Sequence, residues 1–268
     1  MVEIAISLAI IGFAMVAIIG VLPIGMTVQK DNREETVINQ DATVLMNAIR
    51  NGAWGLDDLT NYVTAITIDV TRSDNPTKAP VHEWFYYTNS SRGQQFALAN
   101  GYRIVGLLST PKYDFSTPPG ARIPVRSSNH VVAYIRSMSG TASEKFPPNP
   151  RSIPDLASSL AFSYRMTSEV IPFGTNYYDP SWVASGQQGL SANEIAARSN
   201  SWMVASNLQT NLHDLRLTFA WPFTPQGVLP KTARGQSFRT LVSGQLVKTN
   251  EFGYSFYYFQ PRNYVKVP

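Results

Sequence analysis

The sequence predicts an α+β protein: a long N-terminal helix, hydrophobic and then amphipathic, packed on an antiparallel β-sheet head with long loops. Three observations predict it. No charged residue occurs from Ile4 to Gln29. Beyond that run, apolar residues recur at helical spacing as far as Asn51-Gly52. After Gly52 the period changes to an alternation of two, in segments separated by proline-, glycine- and serine-rich stretches. The 268 residues therefore divide into an N-terminal helix over 1–52, long and apolar enough in its first half to cross a membrane, and a β-rich globular head over 53–268.

The first half of the helix, Ile4–Leu22, reads IAISLAIIGFAMVAIIGVL, apolar on every face with only Ser7 mildly polar. The uncharged stretch spans roughly 39 Å as a helix, more than the hydrocarbon thickness of a bilayer. A cleavable signal peptide would show a basic flank, a shorter apolar core and a small-residue cleavage site, none of which is present. Glu3 stands at the lip of this run, and no basic residue appears before Lys30. An isolated charge against hydrocarbon costs several kcal/mol unless something neutralises it, so Glu3 finds its partner in the chain's own amino terminus, in solvent at a membrane edge, or on another molecule.

The second half follows without a turn. Gly20, Pro23 and Gly25 mark a soft region, because Pro23 has no N–H to give the Ile19 carbonyl and glycine weakens a helix. Asp31, Arg33, Glu34 and Glu35 cluster next, and Val37, Ile38, Val44, Leu45, Ala48 and Ile49 recur at helical spacing. Asn51-Gly52 is the expected stop.

In the head, strands are predicted over Tyr62–Val70, Arg103–Leu108, His130–Arg136, Leu160–Met166, Leu215–Trp221, Phe238–Val247 and Ser255–Phe259. Leu215, Leu217, Phe219 and Trp221 share one face, and Leu160, Phe162, Tyr164 and Met166 share another; Pro222 closes the former strand. A short helix is expected around Ala192–Ala197. Long connections fall at Ser109–Ser128, Lys145–Pro154 and Ile171–Gly189. Such a sheet needs one covered face, which the amphipathic half of the helix supplies.

The composition excludes several chemistries. There is no cysteine, hence no disulfide, thiolate nucleophile or cysteine metal site. The formal charge of +4 arises from 22 basic and 18 acidic residues spread along the chain without a basic cluster, so no nucleic-acid partner is expected. His82, His130 and His213 are far apart and read as surface or structural residues. Asp57-Asp58 and Asp74-Asn75 offer oxygens without a D-x-D-x-D-G loop, Gly186 and Gly189 form no phosphate loop, and no G-x-S-x-G elbow occurs. No catalytic residue, metal site or cofactor is assigned, and the chain is not expected to be an enzyme. Aromatic clusters at Trp84-Phe85-Tyr86-Tyr87, at Tyr177-Tyr178 with Trp182, and at Tyr254–Phe259 are divided between core packing and subunit contacts, since alternate residues of a strand face outward.

The run V-E-I-A-I-S-L-A-I-I-G, with Glu3 nine residues before Gly12, resembles the mature N-terminal segment of type IV pilins and type II secretion pseudopilins. The resemblance covers about the first fifty residues and implies a pilin-like fold. It implies a structural subunit, held first in the inner membrane and processed by a prepilin peptidase. An assembly machine then moves it into a homo-oligomeric helical filament at the cell surface, or in the periplasm for a secretion pseudopilus. By the same resemblance Glu3 pairs with the amino terminus of a neighbouring subunit, Gly12 matches the family glycine, and Gly20–Pro23 is where the helix loosens. Ile4, Ile6, Leu8, Ile10, Ile11, Phe13, Val16, Ile18, Ile19 and Leu22 would line the filament core.

In the family the glutamate is the fifth mature residue and a proline falls where this chain has Gly20. The resemblance therefore implies two further residues and a leader ahead of Met1, or unusual processing, and a loosened turn displaced to Pro23. The late strand L-R-L-T-F-A-W-P resembles the closing strands of larger heads of this family. A minor pilin or pseudopilin capping a filament shares every N-terminal feature. From another class, a membrane-anchored carbohydrate-binding or enzymatic domain would need a polar cluster converging in a pocket, and the sequence shows none.

Overall fold

A computed structural model of the chain describes residues 2–52, 56–73, 81–88, 98–116, 125–139, 162–173, 191–223, 229–251 and 253–266. Helix α1 runs from Val2 to Asn51 with Pro23 inside it. Proline leaves one carbonyl of the ladder without a donor, yet the helix continues through Gly20–Pro23. Along its length, hydroxyls bond back one turn, Ser7 to the Glu3 carbonyl at 2.9 Å and Thr27 to the Pro23 carbonyl at 3.0 Å. It stops as expected: Gly52 adopts φ +70°, and a Cβ there would lie 2.7 Å from the Phe259 carbonyl oxygen, so glycine is required on both grounds.

The docked half of α1 buries Val37, Ile38, Ala42, Leu45, Ala48 and Ile49, the spacing of a single helix face. Val44, which the periodicity also suggests, points away and is 44% exposed.

The main sheet contains β1 (Val63–Ser73), β2 (Val81–Thr88), β3 (Tyr113–Ser116), β4 (Val125–Arg136), β5 (Ser163–Pro172), β6 (Leu212–Trp221) and β7 (Arg234–Ser243). Its order is β2-β1-β4-β5-β6-β7, with β3 paired to the far end of β4, and every pairing is antiparallel. A separate hairpin joins β8 (Gln245–Glu251) to β9 (Tyr254–Gln260). Two more helices, α2 (Gly101–Leu108) and α3 (Ala192–Asn211), complete the regular elements.

The core lies between the inner face of the sheet and a cover of α1, α2 and β9. Leu215, Leu217, Phe219 and Trp221 all face it, as their alternation predicts, and Tyr164 and Met166 do so from β5, with Phe162 packed beside them. Leu160 lies outside the described residues.

Three segments differ from the sequence expectation. Arg103–Leu108 is helical, not extended: Ile104, Val105, Leu107 and Leu108 are all buried, a helical spacing, and the Asn100 side chain caps the helix by accepting from the Arg103 N–H at 2.8 Å. Phe238–Val247 is two strands in two sheets, divided at Gly244, whose φ of +116° turns the chain from β7 into β8. The short helix near Ala192 extends twenty residues to Asn211, begun by a capping box in which Ser191 and Glu194 satisfy each other's N–H groups. β2 has no apolar–polar alternation, because Trp84, Phe85, Tyr86 and Tyr87 put aromatic rings on both faces. Lys145–Pro154 lies outside the described residues, and Ser109–Ser128 contains β3.

Candidate functional site

Residues 2–30 of α1 are all exposed. The ten apolar side chains expected in a filament core, from Ile4 to Leu22, are 52 to 80% exposed. Contiguous apolar surface of this extent marks a surface that is covered by membrane or by another protein. By length and composition this helix is long and apolar enough to cross a membrane. Glu3 sits in its first turn. At Gly12, Gly20 and Gly25 an added Cβ would meet nothing within 4 Å among the described residues.

Where the helix meets the head, polar contacts fix its path. Lys30 and Glu34 pair along the helix at 3.7 Å, Arg234 of β7 binds Asp31 at 2.5 Å, and Gln236 of β7 donates to Asn39 at 3.1 Å. The helix thus enters the head beneath β7. Two residues past Asn39 comes a carboxylate the sequence reading passed over. Asp41 is fully buried and accepts from the Met138 N–H at 3.0 Å, the Ser139 hydroxyl at 2.5 Å and the Tyr164 hydroxyl at 2.9 Å. Burial pushes its carboxyl above the usual range against the pull of those three donors, and pushes the Tyr164 phenol well up. The available signal was an acid interrupting the apolar stripe one turn before Leu45.

Two of the histidines lie beside Asp69 and the third, His213, is buried on β6. His82 on β2 is exposed, with Nδ1 3.2 Å from the Thr71 hydroxyl and 3.8 Å from Asp69 Oδ1. His130 on β4 is exposed beside Asp69 in register. His213 on β6 is buried edge-on to Phe259, and burial lowers its pKa to about 4, so it is neutral at pH 7. Among the described residues no group of three or more such ligands is placed to hold a metal. Asp57 instead accepts from the Gly101 N–H at 3.1 Å. Asp74-Asn75, Gly186, Gly189, Tyr177, Tyr178 and Trp182 lie outside the described residues.

The remaining aromatic residues divide by face. Tyr87, Phe256, Tyr257, Tyr258 and Phe259 are buried, whereas Trp84 is 71% and Tyr86 39% exposed. Tyr258 stacks on Tyr102 of α2 with centroids 3.9 Å apart, and Tyr257 donates to Asp114 at 2.9 Å. The arrangement therefore offers one feature, an exposed apolar helix continuous with the helix built into a folded head. No protein-family model, curated protein or solved structure matches this chain.

Proposed function

We propose that this chain is a pilin-like structural subunit that polymerises through the first half of α1 into a helical filament, after residence in the inner membrane. One observation carries the reading: an unbroken 50-residue helix whose first half buries nothing while its second half is built into the core of the head. A simple anchor needs only a span. Here the span continues as helix into the core of the head, so copies packed side by side through the apolar half carry their heads on one outer layer. The resemblance of V-E-I-A-I-S-L-A-I-I-G to pilin N-termini supports the same reading.

Moving Ile4–Leu22 from lipid to a bundle of like helices exchanges one apolar environment for another, so the free-energy change per residue is small and extraction depends on an assembly machine. Glu3 supplies register, because a buried charge is tolerated only where a partner meets it. Gly20 and Pro23 give the straight helix a place to extend under load.

Electron microscopy of cells that make the full chain together with its assembly machine distinguishes filament from anchored monomer directly. Filaments are expected, and Glu3→Ala is expected to abolish or slow their formation while membrane insertion persists. Normal filaments from that variant would remove the pairing role of Glu3, and monomers alone from the unaltered chain would overturn the proposal.

A further inference from the structure

The main sheet ends in two long open edges. Among the described residues nothing pairs with the outer side of β2, eight residues long, or of β7, ten residues long. An open edge presents unpaired N–H and C=O groups to any strand that approaches, and soluble proteins usually blunt such edges with charge or cover. Here β2 instead exposes Val81, Trp84 and Tyr86, whereas β7 exposes Leu241 beside the charged Arg234 and Arg239.

Direction matters as much as exposure. Five successive antiparallel pairings separate β2 from β7, so the two edge strands run in opposite directions. A second copy displaced by simple translation therefore brings its β2 alongside β7 antiparallel, the favourable ladder geometry. Contact between two different edges does not close on itself, and it propagates.

The helix supplies the proximity. α1 leaves the head beneath β7, held there by Asp31–Arg234 and Asn39–Gln236.

We infer that the head carries a second self-association surface, in which the outer edge of β7 in one copy pairs antiparallel with the outer edge of β2 in the next. The partner is another copy of this chain, and the inference rests on the filament reading above. Main-chain hydrogen bonds join the two sheets into one. On the solvent-facing side the register sets Trp84 opposite Asp69 and Arg239 opposite Arg216, so an exposed indole lies at one edge and an exposed guanidinium at the other. Brought together, such groups attract by cation–π contact.

The chain lacks cysteine, so introduced pairs report without background. Double variants would combine H82C, W84C or Y86C with S237C, R239C or L241C, all exposed positions on the solvent side. Facing residues of an antiparallel ladder have a constant sum of residue numbers, and facing Cα atoms in non-hydrogen-bonded pairs lie within disulfide reach. In filaments assembled from the full chain, oxidation is expected to shift monomer into a covalent ladder for pairs of one sum only, with no ladder from any single variant. Filaments that yield no ladder from any pair overturn the edge contact while leaving the helix-driven filament intact. Covalent dimers from single β7 variants overturn it in favour of two-fold pairing of like edges. Absence of filaments removes both readings together.

Discussion

Tyr164 on β5 donates its hydroxyl to Asp41 on α1 at 2.9 Å, so a fully buried ring and a fully buried carboxylate close the seam between helix and sheet. The same carboxylate collects the Met138 N–H and the Ser139 hydroxyl from the segment after β4. Around it Tyr164 packs on Phe219 and Phe162 at centroid distances of 5.3 and 6.1 Å. A polar point inside an otherwise apolar seam fixes where along the sheet the helix docks, since sliding by one turn strands the carboxylate without donors.

Asp41 gives the seam a pH dependence. Burial outweighs the three donors and raises its folded pKa above the ordinary 3.8. A carboxyl raised in this way contributes stability that is fully present below 3.8 and lost as pH rises through the folded value. The contribution is about 1.4 kcal/mol for each pH unit of upward shift. Asp41→Asn cannot titrate. The melting temperature of the unaltered chain, measured relative to that variant, is expected to rise as pH falls through the folded pKa; a constant difference would refute the assignment.

Asp214 behaves in the opposite sense. Burial alone would raise its pKa, but hydrogen bonds from Arg239 at 2.8 Å and from Arg216 at 2.9 and 2.7 Å hold it below 3.8. Its contribution is present above 3.8 and lost as pH falls through the lower folded value. Relative to Asp214→Asn, the unaltered chain is therefore expected to lose stability on acidification. The two variants change the acid limb of a fluorescence-monitored titration in opposite directions, and parallel curves would contradict both assignments.

Local periodicity made part of this architecture legible. Val37, Ile38, Leu45, Ala48 and Ile49 show the docked face of α1, and Leu215 to Trp221 show a half-buried strand, because burial on one side writes its period directly into the sequence. The exposed half of α1 was legible for the opposite reason, an absence of charge. The Asp41 cluster was not. Its donors Met138, Ser139 and Tyr164 stand 97, 98 and 123 residues away, and nothing local brings them together. The open edges were equally hidden, since β2 becomes an edge only because β1 pairs onward to β4. Arg103–Leu108 misled because four apolar residues in six fit either period when the capping Asn100 is overlooked.

Two glycines of α2 separate backbone from side-chain obstruction. A Cβ on Gly101 would lie 1.8 Å from the Leu56 carbonyl oxygen, whereas one on Gly106 would meet the Tyr258 ring, with its hydroxyl oxygen at 2.6 Å. A ring end can shift at a cost of about 1–3 kcal/mol, the usual range for overpacking. Backbone in the 3₁₀ turn Asp57–Asn61 and its lead-in can yield only by undocking the start of α2. Gly106→Ala is expected to fold with a lowered melting temperature, and Gly101→Ala to lose more. The reverse order in thermal unfolding would show that this packing is misread.

The helix also sets where the chain can be shortened. Val37, Ile38, Leu45 and Ile49 are buried in the head, and four such side chains contribute about 6 kcal/mol or more. That is comparable to the whole net stability of a domain, roughly 5–15 kcal/mol. A truncation beginning at Lys30 keeps these residues, together with the Asp31–Arg234 pair and the Asp41 cluster, and discards only exposed apolar surface. It is expected to be soluble, cooperative in unfolding and unable to form filaments. One beginning at Asn51 loses the whole cover that α1 lays over β6 and β7, and is expected to unfold at lower temperature and to aggregate. Sedimentation and thermal unfolding of the two side by side check this: filaments from the Lys30 truncation would place assembly in the head alone, and equal stability of both would mean α1 contributes nothing to the core.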